Sequence, residues 1–126
     1  MEIKIRLLLI SLLTIVGLII IFIMTNPKVK EINLINDYKI INKKDTTKLI
    51  YNKEEIITDY ISEYSYGKRY ILLKCVDNDI NVKFYIIDTK DNDVHGPYND
   101  YETFTLVQEE IVDEEIPEYK KMIQGD

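Results

Sequence analysis

The chain has 126 residues, a formal net charge of −6 and a single cysteine, Cys75. One cysteine excludes an intrachain disulfide framework and a cysteine metal cluster, and the acidic balance argues against nucleic acid as a partner. The length leaves room for one small domain once an apolar N-terminal segment is set aside. We expect Cys75 to be a small apolar residue within a strand.

An unbroken apolar run at 7–24 dominates the N-terminus. As a helix, its 18 uncharged residues would span roughly 27 Å, close to the hydrocarbon thickness of a bilayer. A cleaved signal peptide usually has a shorter apolar stretch followed by small residues, whereas Thr25-Asn26-Pro27-Lys28 follows here. A buried core helix needs more surrounding protein than this chain provides. The sequence therefore predicts a retained transmembrane anchor at 7–24, with the signal peptide and the core helix as alternatives.

Basic residues on either side of the anchor bear on its orientation. Lys4 and Arg6 precede the run, and a short basic N-terminus is expected to stay in the cytoplasm. Lysines from Lys28 onwards favour the opposite orientation, but long domains cross membranes largely regardless of their charge. We predict a cytoplasmic N-terminus at 1–6 and an extracytoplasmic C-terminal domain.

The remainder of the chain has the patterns of a β-rich domain. A juxtamembrane linker or first strand is predicted at 25–37, and the domain at 38–123. Strand-like runs occur at 38–41 and 47–51. The next segment, 55–66, has a period of two residues and predicts a strand, although its first half also fits a short helix.

Two repeated turn signals define the middle of this domain. Residues 69–76 are apolar on both faces, which is typical of a central strand, and 80–88 runs back beside them. The triplet Asp-Asn-Asp occurs at 77–79 and again at 91–93, and such residues favour turns. Together they predict an α+β protein whose transmembrane helix precedes an antiparallel meander of five or six strands.

A C-terminal helix is predicted to pack on this sheet. Asn99 is the expected N-cap, and Glu102 would complete a capping box three residues later. The helical spacing of apolar residues predicts that one face turns towards the sheet, formed by Phe104, Val107 and Ile111. After Pro117, the segment 118–123 is expected to form another helical turn.

One stretch of the chain is similar to a known group of proteins. The runs Tyr85-Ile86-Ile87-Asp88-Thr89-Lys90 and Val94-His95-Gly96-Pro97-Tyr98 resemble a motif of small, uncharacterised, membrane- or lipid-anchored proteins of Gram-positive bacteria. The similarity covers roughly 38–111. It implies a compact β-rich domain held at the cell surface and no known activity, so it assigns no functional residues.

A calcium loop is the most specific chemical hypothesis that the sequence offers. Six residues match positions 1, 3, 5, 6, 9 and 12 of an EF-hand loop: Asp91, Asp93, His95, Gly96, Asn99 and Glu102. However, His95 places a nitrogen where a hard cation prefers oxygen, and the preceding segment predicts a strand instead of a helix. We favour a plain hairpin turn followed by a helix cap, and predict no metal ligands and no cofactor.

Tyrosines are the second feature with a functional interpretation. Tyr60, Tyr64 and Tyr66 are predicted to share one strand face, with Tyr70 across the turn at Gly67. Cross-strand aromatic pairs stabilise sheets, which is the structural explanation. Tyrosine is also enriched at protein interfaces, so an exposed binding face is the alternative.

Catalysis has little support in the sequence. Ser62 and Ser65 lie outside the G-x-S-x-G motif, and His95 is the only histidine. Adjacent carboxylates such as Glu109-Glu110 diverge on a helix, so they do not form a catalytic pair. We expect a non-enzymatic protein.

The acidic charge is concentrated at one end of the chain. From residue 99 to 126 there are nine acidic residues against two lysines, Lys120 and Lys121. A solvated helix face explains this concentration of charge, and a basic partner is the alternative.

The sequence thus predicts a single-pass membrane protein, inserted through 7–24, whose domain binds a protein or cell-envelope component. The alternatives are an inhibitor or immunity-type protein with an acidic binding segment, and a metal-binding envelope protein.

Overall fold

The computed structural model describes residues 2–25 and 29–122. Within those ranges it has two helices and nine strands: α1 (Glu2–Thr25), β1 (Val29–Asn33), β2 (Tyr38–Lys43), β3 (Thr46–Tyr51), β4 (Glu54–Ile57), β5 (Tyr60–Tyr66), β6 (Tyr70–Val76), β7 (Val82–Asp88), β8 (Asp93–Tyr98), α2 (Tyr101–Ile111) and β9 (Lys120–Lys121). The predicted α+β class is confirmed. Part of the predicted linker (26–28) and the predicted domain end at 123 lie outside the described residues.

Helix α1 is long and apolar enough to cross a membrane. Its 24 residues have a length of about 36 Å, more than a bilayer's hydrocarbon core requires. None of the candidate span Glu2–Ile21 is buried. The alternative of a core helix is therefore wrong, because the domain does not surround α1. A signal sequence near an N-terminus can also be this long and apolar, so length and composition alone do not distinguish it from an anchor.

The strands form two antiparallel sheets. The four-stranded sheet has the order β1-β2-β3-β4, and the five-stranded sheet has the order β8-β7-β6-β5-β9. Left-handed backbone occurs at Asn36 and Asp37 between β1 and β2, and at Asn52 and Lys53 between β3 and β4. Such two-residue turns match the twist of a hairpin, and Asn and Asp adopt positive φ more readily than other side chains.

One hydrophobic core lies between the two sheets, and we call it the inner core. Successive side chains of a strand point to opposite faces, so every second residue of each sheet contributes. The buried contributors are Tyr38, Ile40, Leu49, Ile57, Ile61, Tyr64, Ile71, Leu73, Cys75, Tyr85 and Ile87. The inner core thereby joins the four-stranded sheet to the five-stranded sheet.

A second core, the helix-side core, covers the opposite face of the five-stranded sheet. Leu72, Phe84 and Ile86 on that face pack against Phe104 of α2, which is only 1% exposed. Val107 and Ile111 pack against the same cluster, as their spacing predicts. The central strands β6 and β7 are therefore buried on both faces, and the predicted packing of the C-terminal helix on the sheet is confirmed.

The described residues form nine strands, more than the predicted five or six, and two of the additional strands come from segments that fold differently from the prediction. The period-two segment 55–66 is broken into β4 and β5, which belong to different sheets. The segment expected to form a helical turn, 118–123, contributes β9 within its described part, since Lys120 and Lys121 pair with Tyr64 and Glu63.

Helix α2 begins one residue later than predicted. Asp100, not Asn99, is the N-cap, with extended backbone and a carboxylate oxygen that accepts a hydrogen bond from the Thr103 N–H at 2.7 Å. The second carboxylate oxygen accepts the Thr103 hydroxyl at 2.9 Å. Both residues are good N-caps, and the structure selects Asp100 because Thr103 offers it two donors.

Replacing Phe104 with alanine tests the helix-side core. We expect Phe104→Ala to lower the free energy of unfolding by about 3–5 kcal/mol, because it leaves a cavity against Phe84. Leu106, 62% exposed on the same helix, is the matched control, and Leu106→Ala should change stability by less than about 0.5 kcal/mol. Urea unfolding of the full chain in detergent measures both. Equal effects of the two substitutions would contradict this packing.

The turn between β6 and β7 holds an isoleucine in an unfavourable conformation. Ile80 has a φ of 63°, in the left-handed region, and its side chain is 82% exposed. A β-branched residue rarely adopts this conformation, since its Cβ is too close to the following carbonyl oxygen. Because most of the side chain is exposed, its packing offsets little of this strain.

We expect Ile80→Asn to raise the free energy of unfolding by about 1 kcal/mol, because asparagine tolerates the left-handed conformation. Ile80→Val keeps the branched side chain and should leave stability unchanged. Thermal unfolding of the two variants beside the parent chain measures the difference. A destabilising Ile80→Asn substitution would show that the side chain supports the fold.

Candidate functional site

The sandwich has two ends, which are defined by their turns. At the near end, Val29 pairs with Lys43, so the chain enters the domain beside the turn at 44–45. The hydroxyl of Thr47 accepts a hydrogen bond from the Ile61 N–H at 2.6 Å, which brings the starts of β3 and β5 together. The β6–β7 turn at 77–81 lies at this same end, because Val76 pairs with Tyr60.

The far end is joined by hydrogen bonds between turns of the two sheets. Its turns are those at 36–37, 52–53, 67–69 and 89–92. The side-chain amide of Asn36 donates to the Thr89 hydroxyl at 2.7 Å and to the Lys68 carbonyl at 3.3 Å. The Tyr38 hydroxyl donates to the Asn92 side chain at 2.7 Å. These bonds connect the β1–β2 turn and the start of β2 to two turns of the five-stranded sheet, at 67–69 and 89–92.

An ion pair between half-buried Arg69 and buried Asp88 reinforces the far end. Arg69 donates to both carboxylate oxygens of Asp88, at 2.8 and 2.7 Å, and Asp91 lies 3.5 Å from the same guanidinium. Hydrogen bonds from Arg69 hold the pKa of Asp88 below its usual value, despite the opposing effect of burial. A two-pronged pair of this kind also fixes the orientation of both side chains.

The carboxylate of Glu114 closes the turn between β5 and β6. It accepts backbone N–H groups of Lys68, Arg69 and Tyr70, each at 3.0 Å. Burial raises its pKa, but the three donors together outweigh burial and leave the pKa lowered. Gly67 leaves room for this carboxylate, since a Cβ at that position would displace the ends of the Glu114 and Ile116 side chains.

A groove of about 730 Å³ lies at the far end on the four-stranded sheet. It is lined by Asn33, Leu34, Asn36, Asp37, Tyr38, Lys39, Ile41, Ile50, Asn52 and Lys53. Because Ile40 and Leu49 enter the inner core, their neighbours Ile41 and Ile50 face away from it. The groove thus combines half-buried aliphatic side chains with amides and charged groups at its rim.

Sequence reasoning missed this groove, although a signal was present. Ile40 and Ile41 are adjacent, as are Leu49 and Ile50. Within a strand, one member of each adjacent pair must point away from the core. This pattern places two apolar residues on the outer face of the sheet, beside turns that contain asparagine.

The proposed calcium loop is not formed. Asp93, His95 and Gly96 belong to strand β8, which pairs with β7, whereas Glu102 lies in the first turn of α2. Within the described ranges, no group of three or more His, Cys, Asp or Glu side chains could hold a metal ion. Gly96 has a structural explanation instead, because a Cβ there would lie 2.6 Å from the Phe84 carbonyl.

The four tyrosines do not share one face. Tyr64 and Tyr66 pack with the inner core, but Tyr70 packs with the helix-side core. The pairing between β5 and β6 shifts between Ile61 and Glu63, so Tyr60 lies on the opposite face from Tyr64. This bulge, together with the turn at Gly67, separates the side chains, and the predicted common tyrosine face is wrong.

Cys75 is buried, as its place in a strand predicts. It belongs to the inner core, where burial raises the pKa of the thiol to about 12, and the charge of Asp59 adds to this effect. A thiol with so high a pKa is almost entirely protonated at neutral pH, and the thiolate is the reactive form.

The two runs that resemble a motif of Gram-positive anchored proteins lie in strands and turns of the five-stranded sheet. Asp88 and Thr89 take part in the far-end network, since the Thr89 hydroxyl donates to the Arg69 carbonyl. No protein-family model, curated protein or solved structure matches the chain. The family resemblance therefore stays a prediction.

Substitution of Glu114 tests the closure of the β5–β6 turn. We expect Glu114→Gln to lower the free energy of unfolding at neutral pH by about 1–3 kcal/mol, because three backbone donors lose a charged acceptor. The neighbouring Glu115→Gln, at an exposed position, should have little effect. Urea unfolding in detergent compares the two.

The lowered pKa of Glu114 predicts that the stability difference between the parent chain and Glu114→Gln depends on pH. The pKa of Glu114 is lower in the folded protein than the value of about 4.3 in the unfolded chain. The stabilisation by its carboxylate is therefore complete above the unfolded pKa and is lost as the pH falls through the folded pKa. The stability difference between the parent chain and Glu114→Gln should therefore shrink below about pH 4. A difference that stays constant with pH would contradict a charged acceptor.

Proposed function

We propose that the protein is a membrane-anchored, non-enzymatic binding protein whose domain lies outside the cytoplasm. The groove at the far end is the observation that carries this proposal. Its amides and ammonium groups can hydrogen-bond to a ligand, and Ile41 and Ile50 offer it an apolar surface. We infer that it binds a protein or another component of the cell envelope.

The position of the groove supports this function. The chain enters the domain at Val29, at the near end, whereas the groove lies at the opposite end of the same sheet. A domain anchored through α1 would thus present the groove away from the membrane. The far-end hydrogen bonds of Asn36 and Tyr38 hold its rim in place before any ligand arrives, which limits the entropy lost on binding.

Site-specific crosslinking in cells tests the groove. A photoreactive amino acid at Lys53, on the groove rim, should form a crosslinked product. The same amino acid at Lys90, an exposed residue of another far-end turn, is the matched control and should form none. Adding Ile50→Asp should abolish the product at position 53, since a charge would disrupt the apolar surface of the groove.

Two results would contradict this assignment. Equal products at positions 53 and 90 would indicate non-specific contact at the far end. A product at position 53 that persists in the Ile50→Asp variant would show that the groove is not the binding surface. Digestion of the product with a protease or with a cell-wall hydrolase distinguishes a protein partner from a wall polymer.

Protease treatment of intact cells tests the orientation. A C-terminal tag on the full chain should be removed from outside while the membrane stays sealed. A protected band of full length would place the domain in the cytoplasm. A band shorter by the length of the apolar segment would show cleavage and identify α1 as a signal sequence.

An acidic segment supports a second candidate function, that of an inhibitor or immunity-type protein. Five acidic residues in the last turn of α2 and between α2 and β9 are exposed, and none forms an ion pair with the described residues: Glu109, Glu110, Asp113, Glu115 and Glu118. A basic partner would complement them. Partner capture that weakens with salt and is lost when these five residues are neutralised would favour this function over groove binding.

A further inference from the structure

The β6–β7 turn is built to expose Ile80. The Ile80 N–H donates to the Asp77 carbonyl at 3.1 Å. The Asp77 carboxylate accepts the N–H groups of Asp79 and Asn81, at 3.0 and 2.9 Å. These bonds hold the turn in one conformation, with an apolar side chain at its tip and a left-handed backbone beneath it.

Other exposed apolar groups lie beside this turn. Val82, two residues further along, is 39% exposed and shares a strand face with Phe84. Tyr101 is also exposed and packs its ring edge against Phe84, with 5.7 Å between ring centroids. Ile80, Val82 and Tyr101 form an apolar rim at the near end of the domain.

Chain length keeps the near end close to α1. Thr25 ends the helix and Val29 begins β1, so their Cα atoms are separated by four peptide units, or at most about 15 Å. When α1 spans a bilayer, the near end is therefore held at the membrane surface. The apolar rim lies at this same end of the domain.

We propose that the Ile80 turn inserts into the interfacial region of the membrane and fixes the orientation of the domain. The apolar rim would thus contact the phospholipid surface. Burial of apolar side chains drives the contact, because Asp77 and Asp79 beside the tip would be repelled by anionic headgroups. The inference rests on the proposed anchoring through α1, but it does not depend on what the groove binds.

Tryptophan fluorescence tests this contact, because the chain contains no tryptophan. The full chain with Ile80→Trp is reconstituted into phosphatidylcholine vesicles, and Lys90→Trp at the far end is the matched control. We expect a blue-shifted emission from position 80 that is lost when the lipids carry bromine near the headgroup end of the acyl chains. Position 90 should show neither the shift nor the quenching.

Three results would overturn the proposal. Emission from position 80 that resembles that of position 90 would show that the turn stays in water. A blue shift without quenching by brominated lipid would show that protein, such as a second copy, covers Ile80. Quenching at both positions would indicate non-specific adsorption of the domain. Flotation of the full chain with the vesicles tests anchoring separately, so failure of the anchor is distinguished from failure of the contact.

A second variant measures the orienting effect without a probe in the turn. Ile80→Asn is added to the Lys90→Trp chain, and the fluorescence anisotropy of position 90 is compared in vesicles. We expect the anisotropy to fall, since the domain would move more freely on its tether. Unchanged anisotropy would overturn the orienting role, and the thermal stability of the same variant shows that the fold is retained.

Discussion

The five-stranded sheet has apolar residues on both faces, so each face must pack against another element of this small domain to be shielded from water. In β6, Ile71 and Leu73 point to the inner core, and Leu72 points to the helix-side core. The four-stranded sheet covers the first face and α2 covers the second. Burial of apolar surface is the main favourable contribution to folding, so this requirement determines how the surrounding elements are arranged.

The four-stranded sheet, α2 and the segment after α2 also form the far end. Helix α2 starts at the near end, and the segment after it reaches the far end, where Glu114 meets the backbone of the β5–β6 turn. Packing of the two sheets brings Asn36 to Thr89 and Tyr38 to Asn92. The turns that line the groove are therefore fixed by the same contacts that stabilise the folded domain. Its rigidity is a consequence of the same packing that stabilises the domain.

Much of this architecture could be predicted from residue patterns. The two-sided burial of β6 follows from its continuous apolar sequence, and the inward face of α2 follows from the spacing of Phe104, Val107 and Ile111. Local signals failed where two choices were chemically similar. Asn99 and Asp100 are both good caps, and only the two bonds from Thr103 select Asp100.

Other features depend on distant parts of the chain and have no local signal. The bulge that separates Tyr60 from Tyr64 arises from the register between β5 and β6. The position of β9 depends on where the segment after α2 crosses β5. The apolar residues of the groove do have a local signal in adjacent pairs such as Ile40-Ile41, but the proximity of the turns around them is set by packing between elements. For such features, the sequence supplies the residues but not their arrangement.

The short strand β9 has a consequence for a protein confined to a surface. A sheet edge is a template for pairing with another chain, and molecules tethered in one membrane meet at high effective concentration. Lys120 and Lys121 cover part of the β5 edge, and the Lys120 ammonium lies 5.6 Å from the centre of the Tyr66 ring. A second copy that approached this edge would meet two positive charges. In the proposed membrane-anchored protein, the C-terminal segment would therefore oppose pairing of neighbouring molecules through the β5 edge.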